Sequence, residues 1–275
     1  RKFLISSVLD ANLSLNDVSI LKPGIYTDQP QLNRERILGL LFNMSVTLQA
    51  INHLHSLSAT ATVKYGKSKT WIKDETTGIT STSTAETDDL ISLYLLYKLL
   101  EMHGKYDPKK WYYPIPFIEG YIETEVTRDL LSESGKRYRY TETAAMTGPG
   151  FMPYPKLFFK VGAVVRSHNI LIPKEREVEL GLYCGFTLLR HPLLKIRRAP
   201  LYAESRLDFY LTQLRDKRIK EFIWTNKLSF SLISRLFLNI THEFYIYDTR
   251  ENEVNVASNL TAGIQVIMDF RHQTF

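Results

Sequence analysis

The sequence predicts an all-β fold: an up-and-down antiparallel transmembrane β-barrel of about twelve strands. Two observations predict it. Segment after segment of roughly ten residues alternates between apolar and polar side chains, and alternate residues of a strand face opposite sides of a sheet. No stretch of the 275 residues approaches the ~18 consecutive apolar residues of a membrane-spanning helix, so only strands could carry this chain across a bilayer.

The clearest alternation lies in the C-terminal run from residue 221 to residue 270. Three segments there place an apolar residue at nearly every second position. The last of them has Leu260, Ala262, Ile264, Val266, Met268 and Phe270 on one face. Each predicted strand therefore has one face that is almost continuously apolar and one face that is polar.

Nine further segments fit the same pattern. In chain order they are residues 2–14, 38–50, 57–65, 90–100, 111–126, 137–150, 157–165, 178–188 and 201–211. The leucines of 90–100 would also suit a short helix, and a strand is favoured because its neighbours are strands. Residues 1–37 are expected to form a first strand and a long loop, with an N-terminal extension or a plug as the alternative.

The predicted connections differ in length between the two ends of the barrel. Short connections at 53–55, 151–155 and 234–235 fall at one end, and longer loops at 15–37, 74–86, 128–136 and 248–255 fall at the other. The connection at 191–199 is an exception, because it is long but lies at the short end. Outer-membrane barrels have short periplasmic turns and long external loops, so both termini are expected in the periplasm. Residues 1–275 are expected to form one domain.

A soluble barrel or sandwich is the rival fold. Soluble barrels also alternate, but their apolar face points inward. Here many segments reach the ~9–11 residues that a tilted transmembrane strand needs. Aromatic residues near predicted strand ends, among them Tyr65, Trp111 and Trp224, suit the interfacial girdles of membrane barrels.

The long alternating segments, the near-terminal Phe270 and the C-terminal Phe275 resemble small bacterial outer-membrane β-barrels. Within them, the run from Tyr138 to Arg166 with Gly148-Pro149-Gly150-Phe151 and the predicted strand from Glu204 to Leu211 resemble the uncharacterised salt-stress-induced outer-membrane group. It implies a bacterial outer-membrane protein that is inserted by the barrel-assembly machinery, with Phe270 as the assembly signal. Phe275 is out of phase with the outward residues. The mitochondrial form of the signal also matches residues 261–268, so a mitochondrial or plastid outer membrane is the alternative location.

The polar faces of the strands should line the lumen with acids and bases in about equal numbers. The predicted lumen-lining residues are Glu119, Glu123, Glu125, Lys160, Arg166, Glu179, Glu204, Arg206, Asp208, Lys227, Glu243 and Asp269, and the bases Lys64, Lys98, Arg137 and Arg139 lie on the same predicted faces. Strong ion selectivity comes from rings of one charge sign, so a balanced lumen argues against it. The favoured function is a narrow, weakly selective channel for small polar solutes. The alternative is a non-conducting structural or scaffold barrel that binds lipopolysaccharide or a partner outer-membrane protein.

The formal net charge of +6 comes from bases in turn-like stretches. Arg215, Lys217, Arg218 and Lys220 form a predicted external loop that could bind lipid phosphates or a partner protein. No element concentrates bases among stacking aromatic residues, so nucleic acid is not an expected partner.

No catalytic residue, metal site or cofactor is predicted. The runs His53-Leu54-His55-Ser56 and Ser167-His168-Asn169 do not complete an outer-membrane phospholipase pattern, and Asp88-Asp89 has no Asp-x-His partner for an omptin-like protease. His53 and His55 have no evident third ligand for a metal. Cys184 is the only cysteine, so an intrachain disulfide is impossible, and it lies on an apolar face.

Overall fold

The computed structural model describes residues 3–22, 38–73, 80–100, 112–125, 130–131, 137–138, 141–154, 156–168, 177–196, 199–214, 217–233, 235–248 and 254–274. These residues form fourteen strands: β1 (Phe3–Lys22), β2 (Leu38–Ile51), β3 (His55–Lys73), β4 (Thr80–Leu99), β5 (Ile115–Glu125), β6 (Leu130–Leu131), β7 (Arg137–Tyr138), β8 (Thr141–Tyr154), β9 (Leu157–His168), β10 (Glu177–Ile196), β11 (Ala199–Leu214), β12 (Lys217–Ile233), β13 (Leu236–Asp248) and β14 (Val254–Thr274). Within the described ranges, no helix has the length and apolarity required to span a membrane.

Twelve of these strands close into one antiparallel barrel. Each barrel strand pairs with the next one along the chain, and β1 pairs antiparallel with β14 from Phe3–Thr274 to Lys22–Val256. The short strands β6 and β7 form a separate two-stranded sheet between β5 and β8. The prediction of an up-and-down barrel of about twelve strands is confirmed.

The barrel wall is apolar on its outer face and polar on its inner face, which is the reverse of a soluble barrel. On β2 the outward residues Leu40, Phe42, Met44, Val46 and Leu48 are all exposed. Ile118 on β5 is 60% exposed and Leu182 on β10 is 62% exposed. Inside the barrel, by contrast, charged residues are buried. Soluble monomers rarely expose so continuous an apolar surface, whereas an outward apolar band around a polar interior defines a membrane-spanning barrel.

The barrel has a turn end and a loop end. At the turn end only residues 52–54 separate β2 from β3, and residues 234–235 separate β12 from β13. Asn52 closes the first of these turns, because its Oδ1 accepts hydrogen bonds from the backbone N–H groups of Leu54 and His55 at 2.8 and 2.7 Å. The N-terminal end of β1 and the C-terminal end of β14 also lie at the turn end.

Several strands extend further than the alternation predicts. Strand β1 continues through residues 15–22, where a loop is expected, and forms part of the barrel wall instead of a plug. Strand β3 reaches Lys73 and β4 begins at Thr80, so residues 80–86 of the predicted loop at 74–86 are strand. This segment is rich in Thr and Ser, and no apolar alternation marks it. Residues 23–37 and 74–79 lie outside the described residues.

Three predicted boundaries are also wrong. The long connection expected at 191–199 is short, because β10 runs to Ile196 and β11 begins at Ala199. Two register shifts near Leu188–His191 and Pro192–Leu194 interrupt the alternation there and explain the error. The predicted strand 137–150 is divided between β7 and β8. Lys217, Arg218 and Lys220 belong to β12 and not to a loop, while Arg215 lies outside the described residues.

Candidate functional site

The first candidate group is a central cluster inside the barrel, formed by Glu119, Lys160, Tyr183, Arg206 and Asp208. All of them are buried except Arg206, which is 40% exposed. The Lys160 Nζ donates to Glu119 Oε2 at 2.7 Å, and both side chains are 0% exposed. The Arg206 Nε donates to Asp208 Oδ2 at 2.5 Å, and the Tyr183 hydroxyl donates to Asp208 Oδ1 at 2.5 Å. The Arg206 Nη2 lies 3.6 Å from Glu119 Oε1, which joins the two pairs.

Strand register explains why these side chains meet. Lys160 on β9 and Asp208 on β11 are both paired with Gly185 on β10, so they lie in one row. A Cβ at Gly185 would approach the Tyr183 hydroxyl to 2.5 Å. The absence of a side chain at Gly185 therefore leaves room for the Tyr183 hydroxyl, which reaches Asp208.

The second group is a loop-side cluster centred on Arg166. Its guanidinium donates to Glu142 Oε1 at 2.6 Å through Nη2, contacts Glu221 Oε2 through Nη1, and lies 3.7 Å from Glu179 Oε2. Two of these carboxylates accept a further hydrogen bond: the Thr212 hydroxyl donates to Glu179 at 2.7 Å, and the Tyr245 hydroxyl donates to Glu221 at 2.9 Å. The His168 Nε2 lies 3.1 Å from Glu179 Oε1. Arg166 and Glu179 are direct register partners across β9 and β10.

These two clusters, together with aromatic and aliphatic side chains, fill the side of the lumen bounded by β5 and β8–β11. Phe117, Met146, Phe158 and Tyr210 are among the buried residues packed there. Removing one member of a buried ion pair leaves an uncompensated charge, which is costly in a low-dielectric site. The clusters therefore fix this part of the barrel in one arrangement.

The opposite wall of the lumen is mostly neutral and polar. A cavity of about 320 Å³ lies between this wall and β10–β12. Asn12, Asn43 and Thr241 line it on one side, and Arg206 of the central cluster is among the residues that line it on the other. A second cavity of about 90 Å³ shares the same three residues and continues along Asn259 and Thr261. The Oδ1 atoms of Asn12 and Asn259 are buried and have no hydrogen-bond partner among the described residues. Buried polar atoms need such partners, so this wall is built to face water or a polar solute.

The predicted lumen residues are distributed over these features. Glu119, Lys160, Arg206 and Asp208 come together in the central cluster, and Arg166 and Glu179 in the loop-side cluster. Register partners Glu204 and Lys227 line the larger cavity, and Glu123 and Glu243 line the smaller one. Glu125 is half-buried near the loop end of β5, and Asp269 is exposed on β14.

The sequence reasoning missed three members of the loop-side cluster, Glu142, Glu221 and His168. Glu142 and His168 lie at the loop-side ends of β8 and β9. Glu221 is on β12 and meets Arg166 on β9, three strands away around the barrel. Alternation shows which residues point inward, but it does not show which of them meet across the lumen.

His53 and His55 lie at the β2–β3 turn, and Cys184 lies on β10. His53 is exposed in the β2–β3 turn, and the His55 Nδ1 lies 2.8 Å from the Tyr97 hydroxyl. Among the described residues, no three His, Cys, Asp or Glu side chains are grouped for a metal ion. Cys184 is exposed on the outward face of β10. Of the predicted basic group, Lys220 forms an ion pair with Asp248 at 3.2 Å and Arg218 is exposed.

Comparisons with solved structures return outer-membrane barrels at low similarity. The β domain of the Bordetella autotransporter Brka is 11% identical, with a TM-score of 0.38, covering 95% of this chain and 98% of that one. An outer-membrane channel from Pseudomonas putida F1 is 10% identical, with a TM-score of 0.40, covering 97% and 95%. The outer-membrane channel DcaP of Acinetobacter baumannii is 8% identical, with a TM-score of 0.38, covering 96% of each chain.

No protein-family model matches the chain, and no curated protein matches it. What places this chain among membrane-spanning β-barrels is its own closed sheet, its outward apolar band and its charged interior.

Proposed function

We propose that this protein is a narrow, weakly selective channel for small polar solutes in a bacterial outer membrane. The observation that carries the proposal is the pair of cavities along the neutral wall. They share Asn12, Asn43 and Thr241, so they adjoin along that wall. Their buried amide oxygens need hydrogen-bond partners, which water or a polar solute supplies.

Weak selectivity follows from the charges around the cavities. Glu204, Arg206 and Lys227 line the larger cavity, and Lys64, Glu123 and Glu243 line the smaller one. Acids and bases are thus equal in number along the two cavities. Such a lining lacks the ring of one charge sign that produces strong ion selectivity.

Two features support a bacterial outer membrane over an organellar one. The strand number is even and the barrel closes with an antiparallel pair, as in single-chain bacterial barrels, whereas a mitochondrial barrel of the same general type has 19 strands. Phe270 is 57% exposed on the outward face near the end of β14. That position suits the proposed role of Phe270 as the signal read by the barrel-assembly machinery.

A second candidate function is a non-conducting scaffold barrel, and the buried clusters favour it. They fill one side of the lumen with fixed ion pairs, which make the barrel rigid. A rigid scaffold does not need an open passage. In that case the basic start of β12, with Lys217, Arg218 and Lys220, would bind lipopolysaccharide phosphates or a partner outer-membrane protein. Substituting Lys217 and Arg218 with Gln should then weaken binding of lipopolysaccharide to the folded protein.

Liposome swelling tests the channel and separates it from the scaffold. Vesicles that contain the folded barrel should swell in glycine and in small neutral sugars, and the rate should fall steeply as the solute becomes larger. Glycine, which is zwitterionic, and neutral solutes of similar size should enter at similar rates because the lining is charge-balanced. Swelling no faster than in protein-free vesicles would reject the channel and leave the scaffold.

A further inference from the structure

We propose that Arg190, at the turn end of the lumen, is the centre of a binding site for an oxyanion, a carboxylate or a phosphate group. The Nε and Nη2 atoms of Arg190 are buried and have no hydrogen-bond partner among the described residues. These two atoms form one edge of the guanidinium and donate in parallel. That edge matches the two oxygens of a carboxylate or a phosphate.

A register shift in β10 places this side chain. The pairing of β10 with β11 is regular up to Leu188–Ser205 and resumes at His191–Ala203, so one extra residue is accommodated between them. Bulges re-aim side chains in this way. The Lys156 Nζ donates to the Arg190 carbonyl oxygen at 2.7 Å, which holds the bulge and adds a second positive charge beside it.

Two aromatic rings fix the guanidinium. The Arg190 Cζ lies 4.1 Å from the ring centroid of Tyr202 and 4.1 Å from that of Phe237. The two centroids are 6.2 Å apart, so the rings lie on adjacent sides of the guanidinium and do not sandwich it. A guanidinium held by ring contacts is pre-organised, and less rotamer entropy is lost when its free edge binds a ligand.

The wall beside Tyr202 carries further unused polar groups. Ser229 is the register partner of Tyr202, and Asn239 is the register partner of Ser229. Both side chains are at least 98% buried, and neither the Ser229 Oγ nor the Asn239 Oδ1 has a hydrogen-bond partner among the described residues. The Ser229 hydroxyl can donate to an oxyanion, whereas the Asn239 Oδ1 is an acceptor that a bound water can satisfy.

The unpaired guanidinium edge, the Lys156 ammonium at the bulge and the Ser229 hydroxyl point to one class of ligand. A buried guanidinium with unused donors costs free energy unless a ligand or water supplies acceptors. The larger cavity is lined by Leu188 and Leu189, the two residues that precede Arg190 in the bulge. This site does not require the barrel to conduct, so it stands or falls separately from the channel.

The test is a calorimetric titration of the folded full-length barrel in neutral detergent at constant ionic strength. Sodium phosphate and sodium acetate are the probes, with sodium chloride as the background salt. The wild-type protein should bind at least one probe saturably, and the preferred probe identifies the phosphate or the carboxylate class. Arg190→Gln should weaken that binding by at least about tenfold. Arg190→Lys should restore only part of it, because an ammonium lacks the two-donor edge.

Lys195→Gln is the matched control, since Lys195 is an exposed cation on the same strand at the same end. It should bind the probes as the wild type does. If Arg190→Gln fails to give the gel shift of a folded barrel, phenylglyoxal labelling of wild-type Arg190, mapped by mass spectrometry, replaces it. The preferred probe should slow that labelling. Saturable binding of neither probe, equal binding by Arg190→Gln, or labelling of Arg190 that neither probe slows would overturn the proposal.

Discussion

Lys160 and Glu119 form an ion pair in the interior of the barrel that is completely shielded from solvent. The two residues come from β9 and β5, and their side chains meet at 2.7 Å with no exposed surface on either. Arg206 approaches the other Glu119 oxygen at 3.6 Å, and the Lys160 Nζ lies 5.1 Å from the centre of the Tyr183 ring. The central cluster is thus a connected network of charges, and its response to substitution tests whether it fixes the lumen.

Lys160→Met should destabilise the folded barrel by about 3–5 kcal/mol, because it leaves the Glu119 carboxylate buried without its main partner. Unfolding in urea, followed by the gel shift of the folded form, measures the loss. Lys195→Met removes an exposed cation and should change the unfolding free energy by less than about 0.5 kcal/mol.

The double variant Glu119→Leu with Lys160→Met should lose less stability than Lys160→Met alone, because no uncompensated charge remains. A double variant that loses as much as the two single variants together would show that the pair is not coupled as described.

The single cysteine reports which face of the wall meets lipid. Cys184 is exposed at mid-height on the outward face of β10, where its register partners are Val161 and Phe209. In vesicles, a lipophilic maleimide should label it, whereas a charged, membrane-impermeant maleimide should not. In a Cys184→Ser background, Asn43→Cys faces the cavities and should react with the charged reagent. Rapid labelling of Cys184 by the charged reagent in intact vesicles would place this face in water.

Close backbone contact between β8 and β9 requires glycine at position 162. A Cβ on Gly162 would overlap the carbonyl oxygen of Thr147 and lie 3.1 Å from the Cα of Gly148. Gly162→Ala should therefore destabilise the barrel by about 1–3 kcal/mol. Gly120→Ala is the matched control, because a Cβ there meets no atom within 4 Å, and it should be neutral or stabilising by up to about 1 kcal/mol. Equal urea midpoints for the two variants would contradict the close contact.

The alternation of apolar and polar residues predicted the number of barrel strands, because lipid outside and a polar lumen inside impose opposite demands on neighbouring residues. The alternation did not predict the start of β4 at Thr80–Asp88, because no apolar face marks that part of the strand. It also did not predict the end of β10 beyond Arg190, where register shifts interrupt the period of two.

The partners inside the lumen could not be predicted in the same way. Arg166 meets Glu221 across three strand positions, and that meeting depends on the stagger of the whole closed sheet. A local pattern carries no information about it. The neutral wall with Asn12 and Asn259 could not be predicted from the pattern of charges, because amide side chains carry none.

Single-channel recording of Asn43→Trp in planar bilayers tests the central claim most directly. Asn43 lines both cavities, so an indole there should obstruct the passage along the neutral wall. The wild-type protein should show discrete openings with a reversal potential near zero in a salt gradient. Asn43→Trp should reduce the conductance at least several-fold, while Leu48→Trp, on the outward face of the same strand, should leave it unchanged. No openings in the wild-type protein, or an undiminished conductance in Asn43→Trp, would contradict a passage along this wall.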